Sequence, residues 1–413
     1  MKKVTLLLLF LPLLLIGDDL KSLLAYAQKH NHLIKSADYV IAAKRSDLKS
    51  VQKSYYPTVD VAAFYKRDDK ATPFSPGISY GAEATLSFEL YDGGRKSSLK
   101  KAKEEHLLSA EISKEEKKKQ LFLSITKTFF TIKTLQASLK AQQESQKALL
   151  AQLKRTRAFY NANLTTSDVC DRLQAAYDQS SYAVEKLSFQ IYSLKKSLQL
   201  QVGKEIQQIE DSHFKKSRIQ EEETLDSIKI LKHSRNALLK EGKSIESNYY
   251  PNIKLQDSYA FYAYEKAPYF AGKPIPLLDK QNLFMATLSV RLFDFGALQQ
   301  KTEVLKLQAA ALDEKIRYTS QKQHNEITLS RKRIHSANIQ IKSAKSALKA
   351  AKSALATITK KYQAGIVDNV VYLDALASWR EAKARYEKSQ NDLEIAYAIY
   401  YYYNAKNLEE FLQ

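Results

Sequence analysis

Seven histidines and a single cysteine are the side chains that would ordinarily carry metal or nucleophilic chemistry in this 413-residue chain. The histidines show no metal-ligand spacing, and Cys170 has no second thiol with which to form a disulfide or a zinc site. No nucleophile or phosphate-loop motif is present. Two methionines and few histidines provide no ladder of soft ligands for copper or silver. The sequence therefore predicts no enzyme, no metal site and no cofactor. The ionisable residues that stand out are Glu83, Glu89 and Arg291, set at alternate positions among apolar residues.

Glu89 and Arg291 lie in a phrase that the chain spells twice, and Glu83 shortly before its first copy. Residues 86–94 read LSFELYDGG and residues 288–296 read LSVRLFDFG, 202 positions apart. Phe159-Tyr160-Asn161-Ala162-Asn163-Leu164 returns as Lys361-Tyr362-Gln363-Ala364-Gly365-Ile366 at the same offset. Tyr55-Tyr56-Pro57 returns as Tyr249-Tyr250-Pro251 at an offset of 194, so eight residues are inserted between the landmarks of the second copy. Three landmarks in one order make an internal duplication, with a unit too long for a solenoid repeat.

Composition says what the unit is made of. Only 10 glycines and 8 prolines interrupt the chain, and between Arg95 and Asn163 and between Ala297 and Ala364 there is neither. Both stretches are rich in good helix formers and read as very long helices, 95–160 and 297–362. Ile334, Ala337, Ile341, Ala344, Leu348, Ala351, Leu355, Ile358 and Tyr362 follow the 3.5-residue period of a coiled coil. The first copy keeps the register as Ile132, Leu135, Leu139, Gln142, Gln146, Leu149, Leu153, Thr156 and Tyr160, with polar entries. Turns near 161–167 and 363–370 lead into return helices ending near Val202 and Lys406, so each unit holds an antiparallel helical hairpin.

Elsewhere the period changes to two. Ala82, Ala84, Leu86, Phe88 and Leu90 alternate with Glu83, Thr85, Ser87 and Glu89, and Phe284, Ala286, Leu288, Val290 and Leu292 alternate with Met285, Thr287, Ser289 and Arg291. These patterns predict strands over 80–91 and 284–293 with one apolar and one polar face. Val59, Val61, Ala63 and Tyr65 mark a strand over 58–66, and Ile253, Leu255, Tyr259 and Phe261 one over 252–264. Connections holding Pro73, Pro76, Gly77, Pro268, Gly272, Pro274 and Pro276 read as loops. Four strands of about ten residues suit a tilted membrane crossing but are too few to close a barrel, so the chain is expected to oligomerise. Strand counting alone allows a dimer of eight strands or a trimer of twelve.

Lys2 and Lys3, the apolar run Val4–Ile16 and Gly17 read as a secretory signal over 1–17, with no cysteine after it to carry a lipid anchor. The formal charge of +20 arises from 65 Lys and Arg against 45 Asp and Glu. These are interleaved along the helices as solvated faces, and with a secretory signal they predict no nucleic-acid partner. The organisation expected is a signal (1–17), repeat 1 (18–202), an inter-repeat linker (203–224), repeat 2 (225–408) and a C-terminal tail (409–413).

The duplicated order of helix, Tyr-Pro, strand, strand ending in Leu-Tyr/Phe-Asp-x-Gly, and very long helix resembles the TolC-like outer membrane efflux proteins, as do Tyr362-Gln363-Ala364-Gly365-Ile366 and Leu373-Asp374-Ala375. The resemblance covers about 18–408. It implies a mainly α fold with membrane β-structure: a homotrimer whose twelve strands form an outer-membrane barrel continued by a periplasmic α-helical tunnel. The tunnel would engage a periplasmic adaptor coupled to an inner-membrane pump such as an RND-type transporter, in the cell outer membrane of a Gram-negative bacterium. The function implied is an exit duct for small toxic solutes, drugs or heavy-metal ions. Type I protein secretion is the alternative, and a secreted structural coiled coil the reading from another class.

The same resemblance assigns roles. Glu83, Glu89 and Arg291 would face the barrel lumen and the Leu/Phe faces outer-membrane lipid. Asp374 falls on the acidic ring of the entrance constriction, and with one residue fewer in the first turn Asp171 is its counterpart. Tyr362 and Asp168 match a tyrosine–aspartate gate latch, whereas Val367 stands where the family places a latch arginine. Asn163, Leu164, Gly365 and Ile366 are the tip residues expected to touch the adaptor. Asn163 replaces the tip glycine and must tolerate a left-handed backbone.

Overall fold

A computed structural model describes residues 18–70, 72, 76–217, 219, 221–265, 269–270 and 272–413. The expected signal 1–17 and the loop residues Pro73 and Pro268 lie outside them. The helices are α1 (Leu20–His30), α2 (His32–Lys53), α3 (Arg95–Asn161), α4 (Ser167–Val202), α5 (Asp226–Glu246), α6 (Ala297–Gln363) and α7 (Asn369–Tyr403). The strands are β1 (Thr58–Arg67), β2 (Ile78–Asp92), β3 (Asn252–Glu265), the short pair β4 (Tyr269–Phe270) and β5 (Lys273–Pro274), and β6 (Lys280–Ser289). At 67 residues each, α3 and α6 are the two long helices expected. At 1.5 Å per residue each is about 100 Å long.

The chain divides into two units. One comprises residues 37–113 and 227–319 and contains the sheet, with strand order β1-β2-β3-β6 and every neighbour antiparallel. The register brings the apolar sets onto one face: Val61 stands opposite Ala84, Ala84 opposite Tyr259, Leu86 opposite Asp257 and Asp257 opposite Phe284. On that face Val61, Leu86, Tyr259 and Phe284 are exposed. The other face carries half-buried Glu83, Thr85 and Ser87 on β2 and buried Ser258 on β3, while the edge strands β1 and β6 are exposed along their whole length. A soluble sheet would hide its apolar face and wet its polar one; the central strands β2 and β3 do the reverse.

The fourth strand departs from expectation. It runs from 280 to 289 rather than from 284 to 293, because its neighbour β3 begins at Asn252, which pairs with Ser289. Residues 290–293 have no strand beside them among the described residues, and the alternation there outlasts the ladder. A bulge between Glu89 and Tyr91 leaves Leu90 out of register at the corresponding place in β2.

The other unit comprises residues 114–226 and 320–413 with the chain up to Ser36. Within 334–362, all nine expected seam positions are buried or half-buried, and Thr359 is the only other position so placed. In the first copy the polar seam entries find partners on the return helix. Gln142 Nε2 donates to Ser180 Oγ at 2.8 Å, and Gln146 Nε2 donates to Ser181 Oγ at 2.8 Å. Tyr160 lies outside the seam and is exposed.

The main core of this unit surrounds Phe122, Phe129, Phe130, Phe214 and Tyr401. Here the expected linker 203–224 and tail 409–413 prove to be built into the structure. Buried Glu394 accepts the N–H of Phe214 at 2.8 Å, and the N–H groups of Ser217 and Ile219 donate to the hydroxyls of Tyr401 and Tyr400 at 3.2 and 3.1 Å. Phe214 bridges to Leu412, Asp18 to Ile209, and Phe411 stacks on Tyr401 with centroids 4.1 Å apart. Backbone groups in a chain segment without regular structure need such partners once buried.

Candidate functional site

Two Asp-x-Gly turns join strands to long helices, and their geometry repeats. Asp92 accepts the N–H of Gly94 at 3.1 Å and of Lys96 at 2.7 Å; Asp294 accepts those of Gly296 at 3.1 Å and Leu298 at 3.0 Å. Each aspartate thereby satisfies N–H groups that the first turn of a helix leaves open. The residue between differs. Gly93 has φ +67°, and an added Cβ would lie 2.5 Å from the Ser247 carbonyl oxygen, so only glycine fits. Its counterpart Phe295 holds φ +53° with a side chain almost wholly exposed.

On the polar face of β2, Glu89 binds Lys96 Nζ at 2.9 Å, Arg95 Nη2 at 3.0 Å and the Asn252 amide at 2.5 Å. Glu83 shares that face and accepts the Thr85 hydroxyl at 3.3 Å. Arg291 does not join them in the sheet: it lies beyond the end of β6, beside a cleft of about 380 Å3 that also touches Asp92, Arg95 and Asn252.

At the other end of the hairpins the two tip turns are alike. Leu164 N–H donates to Phe159 O at 2.9 Å and Asn163 N–H to Tyr160 O at 2.9 Å; Ile366 and Gly365 make the same bonds to Lys361 and Tyr362 at 2.9 and 3.1 Å. This is the Schellman closure of a helix, which needs a left-handed residue, and Asn163 supplies it at φ +55° where repeat 2 has Gly365 at +73°. Leu164 and Ile366 project from the turns with about 70% of their surface exposed.

The turns also have equal length. Thr166 and Asp368, 202 positions apart, are the N-caps of α4 and α7. The shorter first turn invoked for Asp171 therefore does not form: Arg172 takes the place of Asp374, and Asp171 that of Leu373. Asp374 is exposed at the lip of a cleft of about 370 Å3 lined by Gln142, Ser180, Leu376 and Arg380.

Tyr362 and Asp168 are not brought together. Asp168 accepts the Thr166 hydroxyl and faces Arg172 at 3.7 Å, while the Tyr362 ring stacks on Tyr372 with centroids 5.0 Å apart and planes 13° apart. Tyr372 is buried among Leu149, Leu153, Leu173 and Leu376, and burial, with Tyr362 beside it, raises its hydroxyl above the usual tyrosine range. Sequence reasoning passed over Tyr372, whose signal is its spacing of three and four residues from Asn369 and Leu376 on the buried face of α7. Near this core Lys383 reaches Glu144 at 2.5 Å and lies 5.1 Å over the Trp379 ring.

A family model described as outer membrane efflux protein matches residues 23–181 and again 231–399. No curated protein matches the sequence. Among solved structures, CusC, whose description concerns transmembrane channel formation, superposes with a TM-score of 0.81 at 14% identity, over 95% of this chain and 93% of its own. The CmeC outer membrane channel of Campylobacter jejuni gives 0.80 at 13% identity over 95% and 86%. The outer membrane protein VceC of Vibrio cholerae gives 0.77 at 13% over 94% and 96%.

Proposed function

The chain belongs to the outer membrane efflux protein family, and on that premise we propose that it is the exit duct of a tripartite efflux system, passing small toxic solutes such as drugs or heavy-metal ions to the exterior. It is an outer-membrane channel protein rather than an enzyme. The observation that carries the reading is the inverted sheet: Val61, Leu86, Tyr259 and Phe284 are exposed on one face while Glu83, Thr85 and Ser258 are sheltered on the other. That polarity serves a wall between lipid and a water-filled lumen.

Four strands leave β1 and β6 as unpaired edges among the described residues. An unpaired edge in lipid costs several kcal/mol per open backbone group, and three copies of the chain remove it. Three Asp374 carboxylates would then gather at the periplasmic entrance and favour cations over anions. Leu164 and Ile366, apolar and exposed at the tip turns, suit a periplasmic adaptor that links the duct to an inner-membrane pump of the RND type.

The test is retention of solute by cells. Disruption of the gene in its host should raise the steady accumulation of a fluorescent pump substrate, and the full chain supplied in trans should restore export. Unchanged accumulation of dyes, drugs and metal ions in the disrupted strain would contradict the proposal.

A further inference from the structure

Between α5 and α6 lies a cleft of about 520 Å3 that export itself does not call upon. Leu238, Leu239 and Leu305 form its apolar wall. Lys243 and Lys306, both exposed, stand at its rim with half-buried Lys240. Thr302 lines it too, with a side chain only 3% exposed and a hydroxyl that finds no hydrogen-bond partner among the described residues. An unpaired buried hydroxyl is costly, so a ligand oxygen that accepts from it is favoured. Resting on the outer-membrane placement above, we infer that this cleft holds the phosphodiester headgroup of an anionic glycerophospholipid from the periplasmic leaflet.

The charges in the cleft favour an anion. Its two carboxylates are already engaged: Glu246 meets Lys306 at 3.3 Å, and Glu105 meets His233 Nδ1 at 2.7 Å. Lys240 and Lys243 have no acidic partner among the described residues. Two free ammonium groups and one buried hydroxyl together offer the donors that the oxygens of a single phosphate accept. The leucine wall suits the glycerol and the first methylenes of the acyl chains, whose burial there is favourable.

The cleft opens on the side where lipid is met. His233, Ser234, Glu241 and Ser244 of α5 touch α3, whereas Arg235, Gly242 and Glu246 face α6. At about 100° per residue these two directions lie about 150° apart on the side of Ile245 and about 210° apart on the side of Leu239, Lys240 and Lys243. The neighbouring helices therefore fold back from the cleft, which lies on the convex face of the helical wall and not on its lumen face. The depth fits as well. Lys243 and Thr302 stand three and five residues from the strand-side ends of α5 and α6, about 5–8 Å of helix. A headgroup layer adds roughly that thickness to each side of the hydrocarbon core.

Lipid retention tests the site. Full-length wild type, the double variant Lys240→Gln with Lys243→Gln, and Thr302→Val are extracted in mild detergent. Each is titrated with phosphatidylglycerol, phosphatidylcholine or inorganic phosphate and followed by native mass spectrometry. Wild type should hold phosphatidylglycerol roughly tenfold more tightly than phosphatidylcholine, and the double lysine variant should lose that preference. Thr302→Val puts a methyl group where an unpaired hydroxyl stood, so its unfolding midpoint should not fall while its phosphatidylglycerol binding weakens severalfold. Equal retention of phosphatidylglycerol by wild type and the double lysine variant overturns the site. Binding of inorganic phosphate without phosphatidylglycerol assigns the cleft to a free anion and overturns the lipid. Membrane-extracted protein that holds neither overturns the site alone, whereas protein released from membranes without detergent overturns the outer-membrane placement and the lipid site with it.

Discussion

Asp92 and Asp294, 202 positions apart, close the same strand-to-helix turn, each accepting the N–H groups two and four residues ahead. Asp294 also accepts the Tyr249 hydroxyl at 2.9 Å. The turn is thus a structural hinge between membrane strand and long helix, built twice. Asp294→Ala removes the cap and strands the Tyr249 hydroxyl. It should destabilise the extracted protein by about 1–2 kcal/mol, read as a lower midpoint of thermal unfolding, whereas Asp294→Asn should lose less.

The Gln142–Ser180 pair allows a separate measurement on the first hairpin. Both residues are buried, and the amide donates to the hydroxyl at 2.8 Å. Gln142→Ala should cost about 1–3 kcal/mol, since it opens space and leaves Ser180 without its donor. Gln142→Leu with Ser180→Ala should lie close to wild type, because neither buried polar group then remains. Denaturant midpoints for Gln142→Leu, Ser180→Ala and the double decide this; strictly additive losses would contradict it.

Alkaline pH should loosen the core that holds the inter-repeat segment. Burial pushes the Tyr401 hydroxyl up to about 12, with the Ser217 contact acting against the shift and neighbouring Tyr397, Tyr400 and Glu394 adding to it. A raised tyrosine contributes stability that is complete below pH 10 and lost as pH rises through about 12, on the order of 2–3 kcal/mol for this group. Unfolding midpoints should therefore fall between pH 10 and 12, and Tyr401→Phe should flatten the fall while lowering the midpoint at pH 8.

At the tip, the ring stack rather than a phenol–carboxylate bond ties Tyr362 to its surroundings. Tyr362→Phe should leave the resting conductance of the channel as in wild type, and Tyr372→Ala, which empties part of the core around Leu149 and Leu173, should raise it. An open Tyr362→Phe channel would restore the latch with Asp168.

The two hairpins, the strand faces and the tip turns were legible because each is set by local period or by a special backbone position: the 3.5-residue seam, the two-residue alternation, and Asn163 or Gly365 at positive φ. What was not legible depends on distant partners. The end of β6 is fixed by where β3 begins, not by its own alternation. The segment 203–224 reads as a linker because its anchors, Glu394, Tyr400 and Tyr401, lie about 180 residues away. Asp171 was misplaced by one residue because nothing local distinguishes Thr166 as an N-cap equivalent to Asp368, whose carboxylate does bond the Val371 N–H at 3.0 Å.

The central claim is a gated duct with an acidic entrance, and single-channel recording of the detergent-purified protein in a planar bilayer tests it most directly, with wild type compared against Asp374→Ala. The account predicts small, cation-selective currents that divalent cations reduce, with both the selectivity and the divalent sensitivity lost in Asp374→Ala. Cation selectivity that persists unchanged in the variant would contradict the ring, and a folded, membrane-extracted oligomer that passes no current would contradict the duct.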